Sequence, residues 1–409
     1  MVIGFVWPEP DTTAAGARMV QLLEIFHQAN YDITFASSAA VSEHSVDLKR
    51  WNVNLQFIRL NSASFDVFVK TLKPDVVMFD RYLTEEQYGW RVAEQCPDAL
   101  RIVDTEDLHS LRHVREQCLK KGVPFTTNAW LQNDKTKREI ASLYRSDLSL
   151  IISSYETELL QNTIGIDKCL LLHLPFLIDK ITDNNIDSWP LFEERKDFIC
   201  IGNGMHSPNV DAIVWLKKEI WPLIRKEIPQ ANLHIYGAYL PEHIKQMHQP
   251  KQGFLIYGWV HDKEEVFMNA RVNLAPLRFG AGIKGKLIDA MQAGTPSVTT
   301  PIGAEGMHGS MEWSGSIALN VKDFARSAIT LYRYKEKWKK AQKNGVAIIN
   351  QLYDKEALTT LFLKRLTYLE KNLKTHRIHN FTGAMLQQQT MASTKYMSKW
   401  IEEKNKKTV

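Results

Sequence analysis

The stretch that most constrains the fold lies between residues 271 and 294, where a short strand, a glycine-rich turn and a helix follow one another. Val272 to Leu277 is apolar and suits one buried strand, and a helix from about Lys286 is ended by Gly294. Glycines let the backbone approach a ligand closely, and the first turn of a helix offers unpaired N–H groups at its positive end. With another strand following the helix, this order predicts an α/β fold that has a ligand loop at a strand end.

Three cations occupy this turn, namely Arg278, Lys284 and Lys286, and their charge suits a di- or triphosphate. Two other interpretations remain open. The spacing from Gly280 to Lys286 fits a phosphate-binding P-loop, but Leu287 stands where that motif needs Ser or Thr to hold Mg²⁺. Alternatively, the glycines serve only to pack helix on strand, which leaves the three cations unexplained.

Length and composition bound the remaining possibilities. The chain of 409 residues is too long for one ordinary core and predicts two domains. Four cysteines lie far apart without a Cys-x-x-Cys pair, which argues against a disulfide framework or a zinc site and favours a reducing compartment. The N-terminus predicts a first strand rather than a signal peptide, and no apolar run approaches the roughly 18 residues of a membrane span. We therefore expect a soluble, cytoplasmic protein.

Positive charge is concentrated at the C-terminal end. The formal net charge is +5, and residues 371–409 hold eight Lys or Arg against two Glu. Such a skew indicates an anionic partner, and we expect peripheral contact between this segment and an anionic membrane. A solvated helix face would explain the same charges. Nucleic acid is not favoured as a partner, because the segment lacks a nucleic-acid motif.

Strands and helices alternate along both halves of the chain. We predict a first domain over residues 1–178, a polar linker over 179–196, a second domain over 197–373, and a basic segment with a helix over 374–409. Within the last segment the helical pattern breaks at residues 376–389.

The central stretch and the residues after it resemble the donor site of family 4 (group 1) glycosyltransferases. The motifs that carry the resemblance are Ala275-Pro-Leu-Arg278, Gly280-Ala-Gly-Ile-Lys-Gly-Lys286, Asp289-Ala-Met291, Gly294-Thr-Pro296 and Gly303-Ala-Glu-Gly306. The resemblance implies two Rossmann-like domains facing across a cleft, the arrangement called GT-B, with a C-terminal helix crossing back to the N-terminal domain. It also implies a nucleotide-diphospho-sugar donor and no bound metal or other cofactor.

The resemblance also assigns roles within the second domain. It places Asp289 on the nucleotide ribose and Glu305 with Gly306 along the donor pocket. The family commonly has a glutamate where this chain has Ala281, so the usual contact to the donor sugar is missing or replaced. We expect Arg278, Lys284 and Lys286 to act on the diphosphate.

In the first domain, the resemblance puts the loop with Gly16 and Arg18 at the cleft, near the donor phosphate. It puts His109 beside the transferred sugar, so that His109 joins the three cations as a catalytic candidate. An alternative for His109 is that it forms only local hydrogen bonds together with His113 on one helix face.

Two further loops of the second domain are expected at the donor. Many family members carry an arginine and a lysine in the loop that holds Gly202 and Asn203 here, and neither cation is present. The Gly237 and Trp259 loops are expected to flank the base, although packing alone would also explain Trp259. The full set of expected donor-binding residues is Gly16, Arg18, Gly202, Asn203, Gly237, Trp259, Gly280, Ala281, Gly282, Ile283, Leu287, Asp289, Glu305 and Gly306.

The sequence thus favours a glycosyltransferase that moves a sugar from a nucleotide-diphospho-sugar to a saccharide, a lipid-linked saccharide or another acceptor. Family resemblance implies retention of configuration. No Asp-x-Asp occurs to hold a metal, so cations and a helix dipole remain to stabilise the leaving diphosphate. Two alternatives stay open, a nucleotide-sugar epimerase on the same scaffold and a catalytically inactive nucleotide-sugar-binding protein.

Overall fold

A computed structural model describes residues 1–406, and the side chains of all of these except 389–392. It contains two α/β domains, each built on a twisted parallel sheet with helices on both faces. The predicted fold class, two Rossmann-like domains in the GT-B arrangement, is confirmed. Residues 407–409 of the predicted basic segment lie outside the described residues.

The strands of the first sheet are β1 (Val2–Gly4), β2 (Thr34–Ser37), β3 (Asn54–Phe57), β4 (Val76–Asp80), β5 (Leu100–Asp104), β6 (Leu148–Ile151) and β7 (Leu171–His173). Those of the second sheet are β8 (Lys196–Ile201), β9 (Leu233–Tyr236), β10 (Phe254–Gly258), β11 (Ala270–Ala275), β12 (Ser297–Thr299) and β13 (Gly315–Ile317).

The helices before β8 are α1 (Ala14–Gln28), α2 (Ser64–Leu72), α3 (Arg81–Gln95), α4 (His109–Lys121), α5 (Thr127–Gln132), α6 (Asp134–Arg145), α7 (Ser154–Leu159) and α8 (Asp183–Ser188). Those after it are α9 (Ser207–Trp215), α10 (Trp221–Glu227), α11 (Glu242–Lys245), α12 (Lys263–Asn269), α13 (Gly285–Gln292), α14 (Pro301–Ala304), α15 (Val321–Arg333), α16 (Lys335–Leu352), α17 (Lys355–His379) and α18 (Phe381–Lys406).

Strand order in both sheets reverses near the middle. The first sheet runs β3-β2-β1-β4-β5-β6-β7, and the second runs β10-β9-β8-β11-β12-β13. In the first sheet, successive strands are added on one side of β1 as far as β3 and then on its other side from β4 onwards. In the second sheet, the same reversal occurs between β8 and β11. Open parallel sheets bind ligands beyond the carboxyl ends of their strands at such a switch point. The loop that leads from β11 to α13 begins at the second of these points.

The C-terminal helices return to the first domain. On α17, the side chains of Phe362, Leu366 and Leu369 are fully buried in the core beneath the first sheet, and α18 packs along α6 and α3. The sequence analysis placed the start of this return at residue 374, whereas in the structure the chain already packs on the first domain at Phe362. The predicted break over residues 376–389 is much shorter in the structure, where only Asn380 separates the end of α17 at His379 from the start of α18 at Phe381.

Within the part of the chain that the structure describes, no helix combines the length and the apolar character that crossing a membrane requires.

Candidate functional site

The loop from β11 to α13 touches the first domain directly. Gly282 has φ +64° and donates its N–H to Glu156 Oε1 at 2.6 Å. A Cβ at Gly282 would lie 2.7 Å from the Cβ of Asp107, and one at Gly285 would lie 2.7 Å from Ala14. The glycines therefore allow close approach of the two domains, in addition to the turn that positive φ requires.

Lys284 stands at the N-cap of α13 and is 7% exposed. Its ammonium donates to the carbonyl of Gly282 at 2.7 Å. Burial lowers the pKa of this ammonium, while the nearby carboxylates of Glu305, Glu156 and Asp107 oppose that effect. The lowered pKa shows that these carboxylates do not fully compensate for the lost solvation.

Lys286 lies in the first turn of α13 and points towards β8. Its ammonium donates to Asn209 Oδ1 at 2.7 Å, and a Cβ at Gly202 would lie 2.7 Å from the same nitrogen. A Cβ at Gly237 would in turn collide with the carbonyl of Gly202. Burial lowers the pKa of Lys286. The ends of β8 and β9 and the start of α13 thus converge, and the predicted Gly202, Gly237 and Lys286 are brought together.

Arg278 is placed differently from the two lysines. Its Nε donates to Asp211 Oδ2 at 2.9 Å, and its guanidinium lies 5.3 Å from the ring of Trp215 on α9. This ion pair raises the pKa of Arg278, and the side chain is one-third exposed. Of the three predicted cations, Arg278 is thus the one that forms an ion pair with a carboxylate, whereas Lys284 and Lys286 donate to a carbonyl and an amide oxygen.

An arginine of the first domain that the sequence analysis missed reaches the loop from β11 to α13, which we call the donor loop because the sequence analysis expects the donor there. Arg115 on α4 forms two hydrogen bonds with the carboxylate of Glu305, at 2.7 and 2.8 Å, and donates to the carbonyl of Gly280 at 2.8 Å. The predicted Glu305 thus binds the opposite domain in this structure. No local sequence signal marks Arg115, because its partners lie far away along the chain.

A polar cluster surrounds His109 at the start of α4. His109 Nε2 lies 3.3 Å from Asp107 Oδ1, and Arg112 binds the other oxygen of that carboxylate. Burial lowers the pKa of His109 to about 3, and burial together with the charge of Arg112 lowers that of His206 to about 4. Burial of Asp107 opposes its ionisation, but nearby cationic groups, Arg112 above all, outweigh it and lower the pKa. Both imidazoles are therefore neutral at neutral pH.

Arg18 forms its hydrogen bonds within the first domain, whereas the loop just before Gly16 meets the second domain through Thr12. Arg18 is fully buried, with hydrogen bonds of 2.8 to 3.0 Å to Asp104 and of 2.7 Å to the carbonyl of Leu174. A Cβ at Gly16 would collide with the backbone of Glu9. These contacts serve the first domain's own packing, and the role of both residues at the donor phosphate stays a prediction.

The remaining first-domain loops meet the second domain near Trp259. The ring of Trp259 lies 5.2 Å from that of His44, and Tyr239 Oη donates to Glu9 Oε2 at 3.2 Å. Asn203 Nδ2 donates to the carbonyl of Thr12 at 3.3 Å. The predicted Trp259 and Asn203 therefore both lie at the domain junction, and Trp259 stays partly exposed.

Other predicted residues occupy three settings. Asp289 accepts from Lys263 Nζ at 2.9 Å and keeps partial exposure. Ile283 and Leu287 are buried apolar side chains of the interdomain core. Ala281 packs against the core of the first domain, and a Cβ at Gly306 would collide with a serine of that domain.

The arrangement offers an anion two ammonium groups, the start of a helix and a neutral imidazole at the junction of two domains. Within residues 1–406, neither Lys284 nor Lys286 hydrogen-bonds to a carboxylate. Such a set can stabilise a diphosphate and the negative charge that develops on it as a leaving group. In the same residues, no group of three or more His, Cys, Asp or Glu is placed to hold a metal ion.

Comparison with known proteins agrees with this geometry. Residues 195–333 match the family model of the group 1 glycosyl transferases. Among curated proteins, an uncharacterized 44.6 kDa protein in the cps region of Klebsiella pneumoniae is 24% identical over 234 residues. The match covers 55% of this chain and 57% of that protein, so the chain spans little more than half the length of its relative.

Solved structures share the fold at low sequence identity. Sucrose-phosphate synthase from Thermosynechococcus elongatus has a TM-score of 0.67 at 16% identity, covering 90% of this chain and 99% of that one. HepE from Anabaena, solved in complex with UDP and glucose, has a TM-score of 0.66 at 12% identity, covering 90% and 99%. These likenesses show the two-domain fold, and the family match is limited to residues 195–333.

Proposed function

We propose that this chain, whose residues 195–333 match the family model of the group 1 glycosyl transferases, transfers a sugar from a nucleotide-diphospho-sugar to an acceptor. One observation carries the proposal: Lys284 and Lys286 place two ammonium groups at the start of α13, without a carboxylate bonded to either. Removing a cation from water is costly unless an opposite charge compensates it. A donor diphosphate supplies that charge at the switch point of the second sheet.

The two lysines hold the diphosphate in this proposal, and Arg278 joins them only if it exchanges Asp211 for a phosphate. Asp289 takes the ribose after leaving Lys263, and Trp259 flanks the base. His109 lies beside the transferred sugar. Support for a nucleoside diphosphate comes from the fold neighbour HepE, which binds UDP and glucose.

Transfer proceeds with retention of configuration and without a metal in this proposal. A leaving diphosphate develops negative charge, and fixed cations with backbone N–H groups stabilise it. The family resemblance supports retention. Anomeric proton coupling in the product tests retention directly, and unchanged turnover in excess EDTA tests metal independence.

The experiment that tests the function begins with UDP-, GDP- and dTDP-sugars in a thermal-shift screen. The donor that raises Tm is then incubated with and without a saccharide or lipid-linked acceptor. We expect transfer with an acceptor and slow donor hydrolysis without one. An epimerised sugar nucleotide formed without acceptor would instead establish the epimerase alternative, and complete absence of turnover would favour a binding protein.

A further inference from the structure

The C-terminal half of α18 leaves large apolar side chains in solvent. Met397 and Trp400 are each 60% exposed, Tyr396 is 69% exposed, and Lys399 is exposed beside them. A single exposed apolar residue needs no explanation, but several on one short helical segment indicate a binding surface.

Polar contacts fix this end of α18 beside the start of α2. Ser398 Oγ donates to Asn61 Oδ1 at 3.1 Å. Arg91 on α3 binds Asp66 at 2.7 Å and also binds Glu402. Asn61 lies in the loop that leaves the carboxyl end of β3, so the exposed end of α18 lies at the same edge of the first sheet as the cleft.

Exposed apolar residues continue from this junction towards the cleft. Leu60 and Val67 adjoin Asn61 and Asp66 in the chain. Phe57 ends the edge strand β3, and its ring lies 5.1 Å from that of Trp7. We name the whole set the apolar band: its members are Phe5, Val6, Phe57, Leu60, Val67, Met397 and Trp400, all of them exposed.

The charges around the apolar band are mainly positive. Exposed cations adjoin it at Arg59, Lys70 and Lys399. The acids at its centre, Asp66 and Glu402, both bind the buried guanidinium of Arg91, so their charge is largely taken up within the fold. An apolar surface with a cationic rim is complementary to a binding partner that has an anionic outer layer and an apolar interior.

We propose that the apolar band docks the protein on an anionic lipid bilayer. Aromatic and methionine side chains enter the headgroup boundary while lysines and arginines remain at the phosphates. The site is distinct from the donor loop, and the basic C-terminal segment contributes only part of it. Because the band ends at the loop after β1, a docked protein presents its cleft to molecules held in the membrane.

Vesicle flotation tests the docking without any need for turnover, so its result is independent of the proposed transfer. The full chain is mixed with vesicles of equal parts phosphatidylglycerol and phosphatidylcholine, or of phosphatidylcholine alone. We expect flotation only with the anionic vesicles, and we expect it to weaken as salt screens the charges. The double variant Met397→Ser with Trp400→Ser should lose at least 10-fold in bound fraction, on the order of the loss of two buried apolar side chains.

Two matched controls isolate the band. Leu319→Ser removes an apolar side chain that is 80% exposed on the second domain, and Lys339→Glu there matches Lys399→Glu in the band. Flotation should be unchanged in both controls and reduced in Lys399→Glu, with Tm equal throughout. Wild-type protein that fails to float, or floats equally after the band substitutions, overturns the proposal. Light scattering that shows a dimer abolished by the double variant would assign the band to self-association instead.

Discussion

A buried ammonium and a half-buried one lie two residues apart at Lys284 and Lys286. Both have lowered pKa values because burial disfavours the charged form. Perturbed titration at a junction of two domains is typical of functional sites. Structural ion pairs also perturb pKa values, but these lysines donate to a carbonyl and an amide rather than to an acid.

The pH dependence of kcat/KM tests Lys284, since this constant reports the free enzyme. The pKa of Lys284 is lowered to about 8, so the ammonium loses its proton as pH rises through that value. We expect kcat/KM for the donor to fall above about pH 8. Lys284→Arg should move this alkaline limb to higher pH, because arginine stays charged. If the alkaline limb of the pH profile were identical in the variant, the titration of Lys284 would not control donor binding or transfer.

We expect no limb in the pH profile of kcat/KM from His109 near the usual histidine pKa of about 6.5. Its pKa is lowered to about 3, so it is already neutral across the physiological range. His109 therefore acts in the proposed mechanism as a neutral hydrogen-bonding group.

Arg18 gives a contrasting residue-scale prediction. Arg18→Met leaves Asp104 buried without its partner, and breaking a buried pair costs about 3–5 kcal/mol. Urea unfolding should show that loss, while Arg326→Met, an exposed control on α15, should show almost none. If the Arg18 variant kept full stability and lost only donor affinity, the placement at the phosphate expected from sequence would be restored.

Sequence could predict residues whose partners are local. The glycine spacing around Lys284 and Lys286 is visible in the chain and led to the donor loop. Arg115 and Glu156 act on Gly280 and Gly282 across more than a hundred residues, so no local pattern marks them. The role of Arg18 stays a prediction, because a helix start followed by a cation fits both an anion site and a buried ion pair such as that with Asp104.

At the scale of elements, strongly patterned segments were predictable in extent, whereas the long terminal helices were predictable only as helices and not in their full length. The predicted strand from Val272 and helix from Lys286 correspond to β11 and α13 within a few residues. The break near residue 380 was predicted too long because α17 and α18 belong to the first domain. The apolar side chains of α17 are placed to fit the core of the first domain, which is distant along the chain.

Leu366 tests the contribution of α17 to the first domain. Its side chain is fully buried, so Leu366→Ala should cost about 2–5 kcal/mol in free energy of unfolding. Leu361→Ala on the same helix removes an exposed side chain and should cost under about 0.5 kcal/mol beyond propensity effects. Equal effects in chemical denaturation would contradict the docking of this helix against the first sheet.

For the whole molecule, hydrogen bonds that cross between the domains hold the two domains together. Arg115 with Glu305 and Glu156 with Gly282 join α4 and α7 of the first domain to the second domain. Two similar α/β halves were predictable from the alternating pattern. Their mutual contacts were not, because composition and periodicity carry no information on how two domains face each other.

A charge exchange tests this interdomain pair. Arg115→Glu places two carboxylates together and should open the domains, which small-angle scattering would record as a larger radius of gyration. Adding Glu305→Arg should restore a compact form, since the ion pair is reversed rather than removed. Identical scattering of wild type, single and double variants would show that the pair does not hold the domains.

Calorimetric titration of nucleoside diphosphates into wild type and Lys286→Ala, in excess EDTA, tests the central claim most directly. The account predicts that at least one of UDP, GDP and dTDP binds the wild type. It also predicts that the variant, with unchanged Tm, binds that nucleotide about 100-fold more weakly and loses transfer, because a charge-assisted contact to the diphosphate is gone. Lys226→Ala, an exposed lysine on α10, serves as control and should match the wild type. Equal affinity of wild type and Lys286→Ala would contradict the account.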